Sequence, residues 1–471
     1  MVNRMVEKVY ICRAPVFTEE RNGRYLMIWD NIPNWMVVDE EAFEFLNTIQ
    51  GETTTQEIVE QFQEITQVPE EIINGYIETL IDAKILYEKG DSSQFLTDPD
   101  KLMSIVVYPT NRCNLRCIMC YNKENLLSQN NQNELTIEEF KDFLDQAAPL
   151  LAEKGTNLQI LGGEPLTVPE KTLAIIEYAS PMVEHISLST NGTLVTKEFA
   201  QNVSAVENVS VQVSLDSPNR RTHERIRGKG TFNRTIKGVK LLVEEDVMTV
   251  LNMVCHRANL DELEHYYKFA LELGVSRARF IPLQQAGAGI TCGLEPPSYL
   301  EMMEKGFTVF QENPDCRKLM GSDFLSIAAR LCHICAIQSW CGTGSRLVML
   351  NADGEVYPCP NHHLPEFQAG NIREKPFKEI WENAEPLQRI RQNYPVTSLN
   401  EKCAACPVRY WCAGWCRGET YQMTGSMRAP SIKCEEIHQM FIDMFFRLSE
   451  DKEVFGQLKK VFGKSLSLEK L

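Results

Sequence analysis

The stretch Ile105-Val106-Val107-Tyr108-Pro109-Thr110-Asn111-Arg112-Cys113-Asn114-Leu115-Arg116-Cys117-Ile118-Met119-Cys120 carries the reading of the chain. Residues 105–108 read as a strand that runs into Pro109. The three cysteines that follow are spaced C-x3-C-x2-C. A short loop with that spacing wraps three thiolates around one face of a [4Fe–4S] cube. Such cubes normally take four cysteines. Three leave one iron without a protein ligand, open to substrate as a catalytic zinc keeps an open position. A tetrahedral zinc site or three structural thiols are the alternatives, and the placement directly after a strand favours the cluster.

Outward from this loop, residues 101 to about 285 alternate between strand-like and helix-like segments. Strand candidates are 105–108, 158–161, 186–189, 209–214, 247–254 and 279–283. Helical patterns cover about 170–179, 232–244 and 260–273, and another begins at Thr136 with Glu139 as its capping-box partner. This alternation predicts parallel strands with crossover helices. Six such units suit a partial barrel, whose ligands belong just beyond the strands. Gly162-Gly163-Glu164-Pro165, Ser189-Thr190-Asn191-Gly192 and Ser214-Leu215-Asp216 follow the second, third and fourth strands. Glycines permit close backbone approach, and carbonyls or Glu164 accept from an ammonium.

Sixteen cysteines crowd the chain, most densely from Cys332 to Cys434. No signal-peptide core is visible at the N-terminus, and no apolar run reaches the roughly 18–20 residues that span a bilayer. A cytoplasmic location is therefore expected. Disulfides are disfavoured there, and thiolate metal ligands become the leading explanation. The formal charge of −16 argues against a nucleic-acid surface, which needs a basic face, and against an anionic membrane.

Residues 1 to about 95 read as a small α+β unit. Strands are expected at 9–17, 25–29 and 35–38, then helices over about 39–49, from Thr54 with Glu57 as capping partner, and from about Pro69 with Ile72, Ile73, Tyr76, Ile77 and Leu80 on one face. Gly90-Asp91-Ser92-Ser93-Gln94 reads as a linker. Residues 330–440 read as a metal-stapled, loop-rich domain, and the tail as helix.

The three-cysteine loop resembles that of the radical S-adenosylmethionine superfamily. Met119 stands where an aromatic residue usually precedes the third cysteine, a side chain that ligation does not use. The resemblance implies S-adenosylmethionine as cofactor and Cys113, Cys117 and Cys120 as ligands of a catalytic [4Fe–4S] cluster. It places Gly162, Gly163 and Glu164 at the methionine amino group, Ser189 and Asn191 near the ribose, and Ser214 at the methionine moiety. His223-Glu224-Arg225-Ile226-Arg227-Gly228 resembles a segment whose arginine meets the substrate carboxylate through its planar donor fork. Arg227 is favoured over Arg225 for that task.

Cys341-Gly342, Gly354 five positions ahead of Cys359, Cys403-x2-Cys406-x5-Cys412-x3-Cys416 and Cys434 resemble the superfamily's auxiliary-cluster extension, called SPASM. It implies two auxiliary [4Fe–4S] clusters, three clusters in all. The first would use Cys341, Cys359, Cys416 and an upstream cysteine, Cys335 or, as runner-up, Cys332. The second would use Cys403, Cys406, Cys412 and Cys434. Four thiolates each leave no open iron, which implies electron transfer. A zinc ribbon is the alternative for Cys403 and Cys406. Cys12, Cys255, Cys292 and Cys316 read as small buried apolar residues.

Residues 1–95 resemble the RiPP recognition element, the peptide-chaperone fold of pyrroloquinoline-quinone biosynthesis. That module binds an extended leader peptide as an added strand on an open sheet edge. Here the edge would be 35–38, with the groove closed by the helix bearing Tyr76 and Leu80. Acidic Asp39-Glu40-Glu41 and Glu70-Glu71 make a DNA-binding winged helix a poor alternative.

The expected architecture is α/β: a winged-helix-like leader-binding module (1–95), a partial (β/α)6 barrel (101–320), a cysteine-rich iron–sulfur domain (330–440) and a helical tail (441–471). The expected activity is modification of a ribosomally made precursor peptide, with a thioether as product and a flavodoxin or ferredoxin as electron donor. The rivals are a formylglycine-forming sulfatase maturase, a small-molecule or haem-precursor enzyme, and a non-catalytic electron carrier or zinc-stapled binding protein.

Overall fold

The computed structural model describes residues 8–29, 33–65, 68–90, 96–97, 101–128, 133–320, 331, 336–337, 340–451, 453 and 456. In the N-terminal module, β1 (Val9–Cys12) lies between β5 (Gly51–Thr54) and β6 (Leu86–Glu88), antiparallel to both. A second sheet holds β2 (Phe17–Arg21), β3 (Arg24–Trp29) and β4 (Asn34–Asp39) in that order. The single strand expected over 9–17 is thus two strands in different sheets. Pro15 lies in the break, where its missing N–H does no harm. β5 and β6 go beyond the three strands expected.

Helix α1 (Glu40–Thr48) starts at Asp39, whose side chain accepts from the Ala42 amide at 2.9 Å. Thr54 and Glu57 form the expected reciprocal cap ahead of α2 (Thr55–Ile65), at 2.8 and 3.2 Å. Helix α3 (Glu70–Asp82) follows Pro69. Of its predicted face, Ile73, Ile77 and Leu80 are buried, whereas Ile72 and Tyr76 are exposed. Leu80 is therefore core, and Tyr76 is the exposed member of the pair on this helix.

β3 is buried on both faces. Met27 and Trp29 join the module's own core with Phe45, Phe62 and Ile77. Leu26 and Ile28 point the other way, as strand alternation requires, into the main core. That second face packs on the C-terminal helix Cys434–Glu450. The Trp35 ring lies 4.8 Å from Phe445, Trp35 Nε1 donates to the Leu331 carbonyl at 2.8 Å, and Arg21 pairs with Asp443 at 2.5 Å.

Six parallel strands form the barrel: β7 (Ser104–Val107), β8 (Asn157–Ile160), β9 (His185–Thr190), β10 (Val209–Ser214), β11 (Met248–Cys255) and β12 (Arg277–Pro282). They lie side by side in chain order. Their outward residues, among them Leu158, Ile160, Leu188, Val211, Val213 and Phe280, are buried under the crossover helices. Their inward residues are largely polar and line a cavity of about 1020 Å³. A closed eight-stranded barrel fills this space with branched apolar side chains. Here the lumen is hollow.

The sheet does not stop at the barrel. Strand Leu347–Leu350 pairs parallel with β7 and continues antiparallel through Glu355–Tyr357 and Gly370–Asn371. The cysteine-rich region is therefore less loop-like than expected, because its first strands extend the barrel sheet. Among the described residues no helix is long and apolar enough to cross a membrane.

Candidate functional site

The cysteine loop leaves the C-terminal end of β7 and is held from two sides. Glu134, whose side chain is only 6% exposed, accepts from Thr110 Oγ1 at 2.6 Å, the Asn111 amide at 3.1 Å and Arg112 Nη2 at 3.0 Å. On the other side, the Gly163 amide donates to the Thr110 carbonyl at 3.0 Å and the Glu164 amide to that of Arg112 at 2.7 Å. The glycines are required by this contact. A Cβ at 163 would lie 2.1 Å from the Arg112 oxygen, and one at 162, where φ is +125°, would lie 2.6 Å from that of Thr110. Glu134 was not legible as a site residue, since nothing in its own neighbourhood marks it.

Cys113, Cys117 and Cys120 all face the cavity. Burial raises each thiol's pKa, that of Cys113 to about 11, and Cys113 and Cys120 each feel Cys117 as well. Such thiols are protonated and inert at neutral pH, so a metal must displace their protons. Among the described residues no three His, Cys, Asp or Glu side chains gather as one metal ion requires.

Glu164 is 1% exposed and accepts from Thr190 Oγ1 at 2.6 Å, the Asn191 amide at 2.7 Å and the Leu166 amide at 3.1 Å. A carboxylate has about four acceptor sites, and the chain itself takes three. Glu164 is thus chiefly a clamp joining the glycine loop to the end of β9. Asn191 acts alike: its Nδ2 donates to Asn114 in the cysteine loop at 2.9 Å, and its Oδ1 accepts from the Thr193 amide and hydroxyl.

Arg227 reaches the cavity wall and Arg225 is exposed. Arg227 Nε and Nη2 bind both oxygens of fully buried Asp216, at 2.6 and 3.2 Å. Burial works against the guanidinium charge, but Asp216 and the thiols of Cys117 and Cys120 more than offset it, so its pKa is held above the usual value. The fork is aimed by Asp216, which sequence reasoning had treated only as a neighbour of Ser214. Ser189 and Ser214 also line the cavity, as does Asn252, 4% exposed, whose Oδ1 has no hydrogen-bond partner.

The C-terminal cysteines fall into two groups. Burial, with Cys406, Cys403 and Cys434 adding, raises the Cys412 thiol to about 12. Burial, with Cys416 and Cys341 contributing, likewise raises the Cys359 thiol to about 12. Cys335 and Cys332 lie outside the described residues. Cys12, Cys255 and Cys316 are buried as expected, and Cys292 is half-buried beside Met119 and Leu283.

Comparison with known proteins gives concordant results. A family model described as the radical SAM superfamily matches residues 107–270, and one described as an iron-sulfur cluster-binding domain, SPASM, matches 341–407. The AdoMet-dependent heme synthase of Methanosarcina barkeri is 32% identical over 329 residues, which cover 66% of this chain and 90% of that protein. The mycofactocin maturase MftC of Mycolicibacterium smegmatis is 26% identical over 330 residues, 69% of this chain and 81% of its own. Among solved structures, anSMEcpe with bound AdoMet superposes with a TM-score of 0.61 at 20% identity, covering 76% of this chain and 98% of that one. Streptococcus suis SuiB bound to precursor peptide SuiA gives 0.58 at 14% identity, over 88% of this chain and 97% of that one. These two show the shared fold, and the second share cannot be reached without part of residues 1–95.

Proposed function

The chain belongs to the radical SAM superfamily, and on that premise we propose that it modifies a ribosomally synthesised precursor peptide. Cys113, Cys117 and Cys120 hold the catalytic [4Fe–4S] cluster. Cys403, Cys406, Cys412 and Cys434 hold one auxiliary cluster; Cys341, Cys359, Cys416 and Cys335, or else Cys332, hold another. When bound and reduced by a flavodoxin or ferredoxin, the catalytic cluster supplies the electron that cleaves S-adenosylmethionine to a hydrogen-abstracting 5′-deoxyadenosyl radical. The chain's own residues bind and orient. Arg227, aimed by Asp216, is placed for the methionine carboxylate. The glycine-loop carbonyls at 162–163, with the last acceptor site of Glu164, take the ammonium. Ser189, Ser214 and the open acceptor of Asn252 meet the rest of the cofactor. Asn191 stands at the ribose end, its side chain held by Asn114 and its amide by Glu164. A cytoplasmic setting keeps the thiols available.

The observation that carries the peptide reading is the edge of β4. It pairs with β3 alone among the described residues, so its outer backbone groups can accept an added strand. A leader docked there raises the effective concentration of the core segment at the cavity. SuiB, similar in fold, is bound to its precursor peptide; MftC and the PqqA peptide cyclase of Streptomyces rochei are relatives by sequence. A thioether between a cysteine sulfur and a carbon of another residue is the product we favour. The test is incubation of the reduced, reconstituted enzyme with the peptide encoded by a short cysteine-rich frame beside its gene. Crosslinking lowers the peptide mass by two hydrogens, whereas unchanged mass with active deoxyadenosine release rejects that substrate.

The 32% identity to a heme synthase favours a second reading, radical chemistry on a porphyrin precursor. Tight binding of an iron porphyrin, undiminished when the β4 edge is blocked by a leader peptide, would favour it.

A further inference from the structure

Cys359 is followed by Pro360-Asn361-His362, one turn of 3-10 helix that stands between the cavity and the sulfurs assigned above to an auxiliary cluster. Pro360 and Asn361 line the cavity. Asn361 Nδ2 donates to Cys416 Sγ at 3.2 Å and to Gln284 Oε1 at 2.9 Å. Gln284 lines the same cavity. A side-chain amide nitrogen carries two protons, so each acceptor takes one. The residue is fixed in place. Gln422 Nε2 donates to its carbonyl oxygen at 2.9 Å, and Gly418 approaches so closely that a Cβ there would lie 2.6 Å from Asn361 Cβ.

We propose that Asn361 is a positioning residue that sets the reduction potential of the cluster bound through Cys416, and that it does so from the wall of the substrate cavity. An N–H aimed at a ligating sulfur stabilises the more negative, reduced state more than the oxidised one. Because the same NH2 group serves Gln284, a polar substrate group that competes for Gln284 or Asn361 alters the bond to Cys416. The readiness of this cluster to take an electron is thereby tied to occupancy of the cavity. The inference rests on the cluster assignment of the preceding subsection.

The test is a potentiometric titration of the full-length, anaerobically reconstituted protein, followed by electron paramagnetic resonance. Asn361→Ala keeps the Cβ that packs on Gly418 and removes Nδ2. One cluster signal should move to lower potential by about 59 mV, a tenfold change in its one-electron reduction constant, while the others stay. Gln284→Ala removes the amide's second partner, so that Nδ2 is free to align on Cys416, and the same signal should move to higher potential. Signals unmoved in both variants overturn the proposal. Should Asn361→Ala fail to hold iron, the Gln284→Ala shift decides alone, and its absence overturns the proposal. Wild-type protein with no iron–sulfur signal would instead reject the cluster assignment itself.

Discussion

Gly163→Ala tests whether the glycine loop exists to seat the cysteine loop. The added Cβ would lie 2.1 Å from the Arg112 oxygen, 2.6 Å from the Arg112 carbonyl carbon and 2.8 Å from the Asn111 oxygen. All three are backbone atoms, so no side chain can swing aside. The two loops must part by about 1 Å to restore ordinary van der Waals contact. Overpacking of this kind costs roughly 1–3 kcal/mol. Parting also weakens the bonds from the Gly163 and Glu164 amides to Thr110 and Arg112, each worth about 1 kcal/mol net. A total of about 3–5 kcal/mol falls on the segment that carries Cys113, Cys117 and Cys120. The catalytic cluster should be lost while the auxiliary ligands, on other elements, keep theirs. The assay is iron per chain after anaerobic reconstitution, alongside deoxyadenosine formation. The variant should hold about four irons fewer than wild type, one cubane, and form no deoxyadenosine. Wild-type iron content with wild-type cleavage would refute the reasoning, because it would mean that the loops can separate without disturbing the cluster.

Three further outcomes follow from the geometry. Asp216→Asn leaves Arg227 buried without its anion, a loss of about 3–5 kcal/mol for a buried pair; affinity for S-adenosylmethionine, read by equilibrium dialysis, should fall at least about tenfold, and unchanged affinity would remove Arg227 from the carboxylate role. Trp35→Ala removes the ring packed on Phe445 and the bond to the Leu331 carbonyl, about 2–4 kcal/mol for a partly buried tryptophan. Limited proteolysis should then release the N-terminal module faster than in wild type, and an unaltered cleavage rate would show that the docking lies elsewhere. Gly75→Ala, inside α3 with no atom within 4 Å of the new Cβ, should stabilise the module by about 0.5–1 kcal/mol, seen as a raised melting temperature; a fall would show that α3 is strained at that point.

How far the sequence could be read depended on whether the deciding contact was local. The Thr136 and Thr54 caps, the barrel strands and the cysteine spacing are settled within a few residues, and all were legible. Short strands were not. Gly51–Thr54 reads as the approach to a helix cap, and becomes a strand only because Val9–Cys12 lies beside it. The structural roles of Glu164 and Asn191 were not legible for a related reason. Residue type correctly marked each as a hydrogen-bonding group at the site, but their partners, Thr190 for one and Asn114 for the other, lie 26 and 77 positions away.

One long-range property was written in the sequence and could have been drawn from it. A parallel strand covered on both faces reads as a near-continuous apolar run. Yet β8, β9 and β10 alternate: Leu158 and Ile160 with Asn157 and Gln159, Ile186 and Leu188 with Ser187 and Ser189, Val211 and Val213 with Gln212 and Ser214. Buried polar groups without partners are costly, so such alternation inside a parallel barrel requires that the second face meet water or a polar ligand. The hollow lumen satisfies that requirement, since these polar residues line it. The same pattern argues that what enters the lumen is itself polar enough to replace water there. An extended peptide, with an amide at every residue, meets that condition along its whole length.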